Sequence, residues 1–80
     1  MSTVNCVQKR LLQLCNDRHI TINGLATISG IHPSTAKSIM NGASKNPGIV
    51  TLKKLCDGLD ISLTEFFDTD YFRELEQEIQ

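Results

Sequence analysis

The chain lacks most of what enzymes, membrane proteins and metal proteins are built from. In 80 residues it has no tryptophan, one tyrosine, three phenylalanines and two prolines. No run of about 18 apolar residues occurs, which excludes a membrane-spanning helix. The opening stretch MSTVNCVQKR has neither a basic n-region nor an apolar h-region, so no secretory leader is expected and a cytoplasmic location is. The cysteines, Cys6, Cys15 and Cys56, are odd in number and form no C-x-x-C pair, and neither histidine stands at ligand spacing from them. They read as reduced thiols used as small buried hydrophobes, and no metal is expected. H-E-x-x-H, G-x-S-x-G, the P-loop and G-x-G-x-x-G are all missing. With 40% apolar residues, a chain this short holds one small core and little room for a substrate pocket. An enzyme, a cofactor and a small-molecule ligand are therefore not expected.

An overall excess of positive charge is missing too: the formal net charge is −1 and the pI about 6.0. The distribution is uneven, however. From Met1 to Lys54 the charged residues are Lys9, Arg10, Arg18, Lys37, Lys45, Lys53 and Lys54 against Asp17, a local net of +6. From Leu55 to Gln80, eight acids oppose Arg73, a local net of −7. Such a split fits a basic face for a polyanion with an acidic segment held away from it. Two ordinary solvated faces are the plainer alternative.

What is present is helical periodicity. Ser2 or Thr3 can cap a first helix in which Val4, Val7, Leu11, Leu14 and Cys15 recur on one side, ending near Asp17 to His19. Thr21 can cap a second helix through an N–H near Gly24, with Leu25, Ala26 and Ile28 as its buried face. Gly30 suits the left-handed turn that ends it. Pro33 fits the first position of a third helix, with His32 as a weak N-cap that is either an exposed capping residue or a phosphate contact. In that helix Ala36 and Ile39 point inward, which leaves Ser34, Thr35, Lys37, Ser38 and Asn41 outside. Gly42 stops it, and the loop ASKNPG carries Lys45. A fourth helix from Ile49 to Thr51 onward should bury Ile49, Leu52, Leu55, Cys56 and Leu59. Ser62 to Glu65 is a capping-box pattern for a fifth helix carrying Leu63, Phe66 and Phe67. Beyond Asp68, the spacing of Phe72, Leu75 and Ile79 predicts an acidic amphipathic helix over 68–80, packed on the domain or pairing with a second subunit.

Two short helices joined at a glycine, Ile22 to Asn41, are the pattern of a helix-turn-helix whose second helix enters the major groove of DNA. The surrounding residues strengthen it. Leu25-Ala26, Gly30-Ile31, Ser34-Thr35, Ile39, Asn41-Gly42, Asn46-Pro47, the run Leu52 to Leu59 and Asp60 to Phe67 together resemble the XRE family of phage-repressor-like, Cro-type regulators, over roughly Val7 to Phe67.

The resemblance implies an all-α, five-helix lambda-repressor-like domain over residues 1–67, with the additional short C-terminal helix after it. It further implies double-stranded DNA as partner, bound by a homodimeric repressor on a two-fold operator. By position, Pro33, Ser34, Thr35, Lys37 and Ser38 would face the groove. Thr21, Ile22, Asn41, Lys45, Asn46 and Ile49 would lie near the phosphates. The contacts differ from those of relatives in type. Ile22 stands where a phosphate-binding Gln is common, and the front of helix three offers hydroxyls and Lys37 where relatives read bases with Gln or Arg. Lys37 to guanine and the Thr35 methyl to thymine are then the expected base contacts. Where many relatives pair an Arg in helix one with a Glu ending helix three, this chain has Cys15 and Met40, which predicts an apolar contact. A protein-interaction module, an antitoxin or adaptor that engages its partner through the C-terminal segment, is the competing function.

Overall fold

Side-chain caps fix where most of the helices begin. The computed structural model describes residues 1–79, which form α1 (Thr3–Asp17), α2 (Ile22–Ile28), α3 (Pro33–Met40), α4 (Ile49–Leu59), α5 (Leu63–Phe67) and α6 (Asp70–Arg73), with no strand among the described residues. Ser2, Thr21, His32, Ser62 and Thr69 each accept a hydrogen bond from the first turn that follows, and only α4, after Gly48, starts without one. Ser2 and Asn5 close a reciprocal capping box, while at α5 the Glu65 N–H donates to the Ser62 hydroxyl at 3.0 Å.

Helix ends are fixed by a repeated device. At α2, Gly30 has φ 71°, its N–H donates to Thr27 O, and the Ile31 N–H reaches back to Ala26 O at 2.9 Å. This is a Schellman ending, which satisfies two orphan carbonyls and drops an apolar residue onto the helix it has just left. The same pattern closes α1 through His19 (φ 56°), with Ile20 N–H on Cys15 O at 3.0 Å, and α4 through Asp60 (φ 58°), with Ile61 N–H on Cys56 O at 3.0 Å. Ile61 is buried, and Ile20 and Ile31 pack against the core.

That core is one cluster of Val7, Leu11, Leu14 and Cys15 from α1, Leu25 from α2, Ile39 from α3, Leu52, Leu55, Cys56 and Leu59 from α4, with Ile61 and Phe66. All three thiols are free and buried, and burial pushes those of Cys15 and Cys56 above the ordinary range. Two residues expected inside are outside: Ile28 is 63% and Ile49 59% exposed. At about 100° per residue, Ile28 lies beyond the arc of α2 that holds Ile22, Leu25 and Ala26. Ile49 is the first residue of α4, a turn ahead of Leu52, where the helix has not yet reached the core.

The helix expected over 68–80 is one turn long. It covers Asp70–Arg73, the described residues after Glu74 are not helical, and Gln80 lies outside the described residues. Asp68 and Asp70 pair with Arg73 at the start of that turn. Further on, Glu74, Glu76 and Glu78 would crowd the C-terminal end of an extended helix, where the macrodipole disfavours anions, and one narrow apolar stripe does not offset that. Glu78 instead accepts from the Thr3 hydroxyl at 2.9 Å. The stripe divides accordingly: Phe72 joins Phe66 and Phe67 in an aromatic cluster, Leu75 is half-buried and Ile79 is 84% exposed.

Polar ties from α1 hold this end of the chain. Arg10 donates to Phe66 O at 2.8 Å and Glu65 O at 2.9 Å, Tyr71 donates to Gln13 at 3.1 Å, and the Lys9 ammonium lies 4.4 Å from the centre of the Tyr71 ring.

Two stability predictions follow from these contacts. A Cβ on Gly58 would overlap Ser29 Oγ and stand 3.2 Å from Leu25 Cδ1, and Ser29 Oγ is itself buried without a partner. Thermal melts should therefore show Gly58→Ala costing about 1–3 kcal/mol, with part of the loss recovered when Ser29→Ala is added and additivity excluded. Because His19 holds a left-handed backbone that L-residues adopt at a cost, His19→Gly should stabilise by roughly 0.5–1 kcal/mol, read as a raised denaturation midpoint.

Candidate nucleic-acid interface

The surface that α3 presents is set by how closely α2 holds it. Ala26 and Ala36 are small and fully buried, which lets the two helices approach, and Leu25 and Ile39 fill the space behind them. From α1, Gln8 Nε2 donates to Ile39 O at 2.9 Å and ties the far end of α3 to the scaffold. The Gly30 turn sets the angle between the helices, and no Cβ is needed there.

Around α3, at about 100° per residue, Ala36, Ile39 and Met40 occupy one arc. Ser34, Thr35, Lys37, Ser38 and Asn41 occupy the opposite one, where all are exposed except half-buried Ser38. Pro33 is half-buried at the edge of the buried arc. The exposed arc therefore carries three hydroxyls, one ammonium and one carboxamide, and no acid.

Several of these groups are already partly committed. Asn41 Oδ1 accepts from the Ala43 N–H at 2.9 Å, so only its NH2 remains free to donate. Ser38 O accepts from the Ser44 N–H at 2.9 Å, which folds the next loop back over the end of α3 after Gly42 (φ 83°). Lys45 and Asn46 are exposed on that loop. Together with Pro47 they edge a groove of about 360 Å3 whose other walls include Val4, Val7, Leu52 and Phe67.

At the start of α2, the Thr21 hydroxyl accepts from Gly24 N–H at 3.0 Å and keeps its own proton to donate. Ile22 turns its side chain to the core. It lines an apolar cleft of about 290 Å3 with Leu12, Cys15, Ile20 and Met40, so the Cys15 and Met40 side chains do face one space.

Not every basic residue counted in the first part of the chain is available to a polyanion. Arg10 is committed to α5 carbonyls, Lys53 pairs with Asp57, and Lys9 lies over Tyr71. Among the described residues, Arg18, Lys37, Lys45 and Lys54 make no ion pair, and two of them stand on or just after α3. Sequence pattern alone did not reveal the roles of Gln8 and Arg10, because a polar residue on an amphipathic helix reads as solvated unless its long side chain is seen to reach a carbonyl of another element.

The Cro/C1-type HTH DNA-binding domain family matches residues 10–70. Over 62 residues the chain is 37% identical to the HTH-type transcriptional regulator SlrR of Bacillus subtilis (strain 168), an alignment covering 76% of this chain and 41% of that protein. The chain thus spans about two fifths of that relative's length. The crystal structure of the prophage Lp1 protein 11 is similar at a TM-score of 0.82 and 37% identity, covering 94% of this chain and all of that one. The motifs that resemble the XRE family and the matching helix-turn-helix geometry thus agree, and the chain belongs to the Cro/C1-type helix-turn-helix DNA-binding domain family.

Proposed function

We propose that the protein is a sequence-specific transcriptional repressor that works in the cytoplasm and occupies a two-fold operator as a homodimer, with α3 in the major groove of each half-site. The observation that carries this reading is the exposed arc of α3: donors without acids, held by α2 and Gln8, beside a loop that adds Lys45 and Asn46. Lys37 takes guanine O6/N7 and the Thr35 methyl meets a thymine methyl, while Ser34 and Ser38 supply short hydroxyl contacts. Pro33 starts the helix at the groove edge. The Thr21 hydroxyl, the Asn41 NH2 group, Lys45, Asn46 and the backbone around Ile49 hold phosphates, which fixes register. Ile22 contributes packing and its backbone N–H. Short side chains on the reading face leave a larger share of selectivity to DNA shape.

The small size of the reading helix supports a second copy. One eight-residue helix reads only part of a groove turn, and a second subunit one DNA turn away doubles both base and phosphate contacts. Occupying the promoter then excludes polymerase. An adaptor that offers its C-terminal segment to a partner is less well supported, because Phe72 is committed to Phe66 and Phe67 and Tyr71 to Gln13.

Titrations of duplex DNA test the reading. With about four or five phosphates neutralised per subunit, log K against log salt should fall with a slope of about −4 per subunit, and absence of binding at low salt would defeat it. Lys37→Ala should cost about 1–3 kcal/mol on the preferred sequence and much less on random duplex; an equal loss on both would make Lys37 a phosphate contact. Light scattering on the free protein and on its operator complex should give two chains per site, and one chain per site would remove the dimer.

A further inference from the structure

The end of the acidic segment is not held away from the basic face. From Tyr71 onward the chain runs back along α1. The Tyr71 hydroxyl donates to Gln13 at 3.1 Å, its carbonyl accepts from the Cys6 thiol at 3.8 Å, and Tyr71, Glu74, Leu75 and Glu76 share a hollow with Met1. At the end of this path the Thr3 hydroxyl donates to Glu78 Oε1 at 2.9 Å. Thr3 is the first residue of α1, whose first turn carries no acid of its own, so a carboxylate held there meets the positive end of the helix macrodipole.

This path brings Glu78 to the loop that follows α3. With Thr3 and Val4 it lines the groove of about 360 Å3 that Lys45, Asn46 and Pro47 also line. Lys45 makes no ion pair, so Glu78 does not neutralise it at contact distance and instead adds a fixed negative charge to the same groove. The field of an exposed charge reaches about 8–10 Å at ordinary ionic strength, which is the scale of a groove of this volume. A phosphate that approaches Lys45 and Asn46 therefore also meets the Glu78 carboxylate.

We infer that Glu78 is an autoinhibitory contact: held by Thr3 beside Lys45 and Asn46, its carboxylate repels the DNA backbone and lowers affinity without touching a base. The inference rests on the DNA-binding reading above and adds a brake to it. The contact is a fixed screen, and the tail stays on α1 when DNA binds. Because it acts on phosphates, it opposes all sequences alike.

Position and net charge are separable by substitution. Glu78→Gln keeps the shape of the side chain and removes its charge, so duplex affinity at low salt should rise about threefold. The gain should be equal on operator-like and random DNA and should shrink as salt is raised. Glu76→Gln removes the same charge beside Met1, outside the groove, and should change affinity much less. Thr3→Val alters no charge but releases the carboxylate, so it should give part of the Glu78→Gln gain, and the double variant should bind no tighter than Glu78→Gln alone. The inference is overturned by a Glu78→Gln protein that binds no tighter than the parent, by an equal gain from Glu76→Gln, or by a Thr3→Val protein without gain. If the parent itself binds no duplex at low salt, the DNA-binding reading fails and the brake with it, a result distinct from a parent that binds and a Glu78→Gln variant that binds equally well.

Discussion

One backbone geometry sets where α3 points. Gly30 takes φ 71°, the Ile31 N–H returns to Ala26 O, and the chain turns sharply enough for Pro33 to start a helix against the one just finished. A side chain at Gly30 would be strained by the backbone conformation alone, although the space around it is open. The burial of Ile39 behind α3, the reach of Gln8 to its last turn and the outward arc from Ser34 to Asn41 all presuppose that angle. The same ending appears at His19 and Asp60, and each time an isoleucine follows it onto the core. With Gly42 after α3, four left-handed residues thus end the first four helices.

Charge is arranged around this frame with little ionic contact inside. No charged or polar residue is buried among the described residues, and the space between α1 and the end of α3 is apolar, lined by Cys15 and Met40. Replacing a buried ion pair by packed apolar groups removes a desolvation cost, so losing both partners together is easily tolerated. Arg10, which composition would assign to the DNA face, serves as a clamp on the carbonyls of Glu65 and Phe66. The cations left for a polyanion are therefore fewer than the count suggested, and they gather at α3 and the loop after it.

How much of the structure is legible in the sequence depends on whether a signal is local. Caps at Ser2, Thr21, His32 and Ser62, the left-handed Gly30 and the inward Ala36 and Ile39 are decided within a turn of chain, and they are where the sequence places them. His19 and Asp60 take the same conformation as Gly30 without a glycine to announce it. Apolar character alone predicts burial of Ile28 and Ile49, while helix rotation and element length put them outside. The tail departs from its periodicity for a different reason: Phe72, Leu75 and Ile79 fit a helical pattern, but Glu74, Glu76 and Glu78 oppose the helix that the pattern requires. On α3, which residues lie on the exposed arc is legible in the sequence, whereas the commitment of Asn41 Oδ1 to Ala43 and of the His32 ring to Ser34 depends on side-chain geometry that spacing does not encode.

The central claim is that α3 and the loop behind it form the DNA-binding surface while the acidic C-terminal part supports the core. Amide chemical-shift mapping of the whole chain during titration with duplex DNA tests this most directly. The account predicts that perturbations concentrate between His32 and Ile49, with a second group at Thr21 to Gly24, and that resonances from Asp60 to Ile79 stay near their free positions. Perturbations centred on the acidic segment, with α3 unmoved, would contradict it.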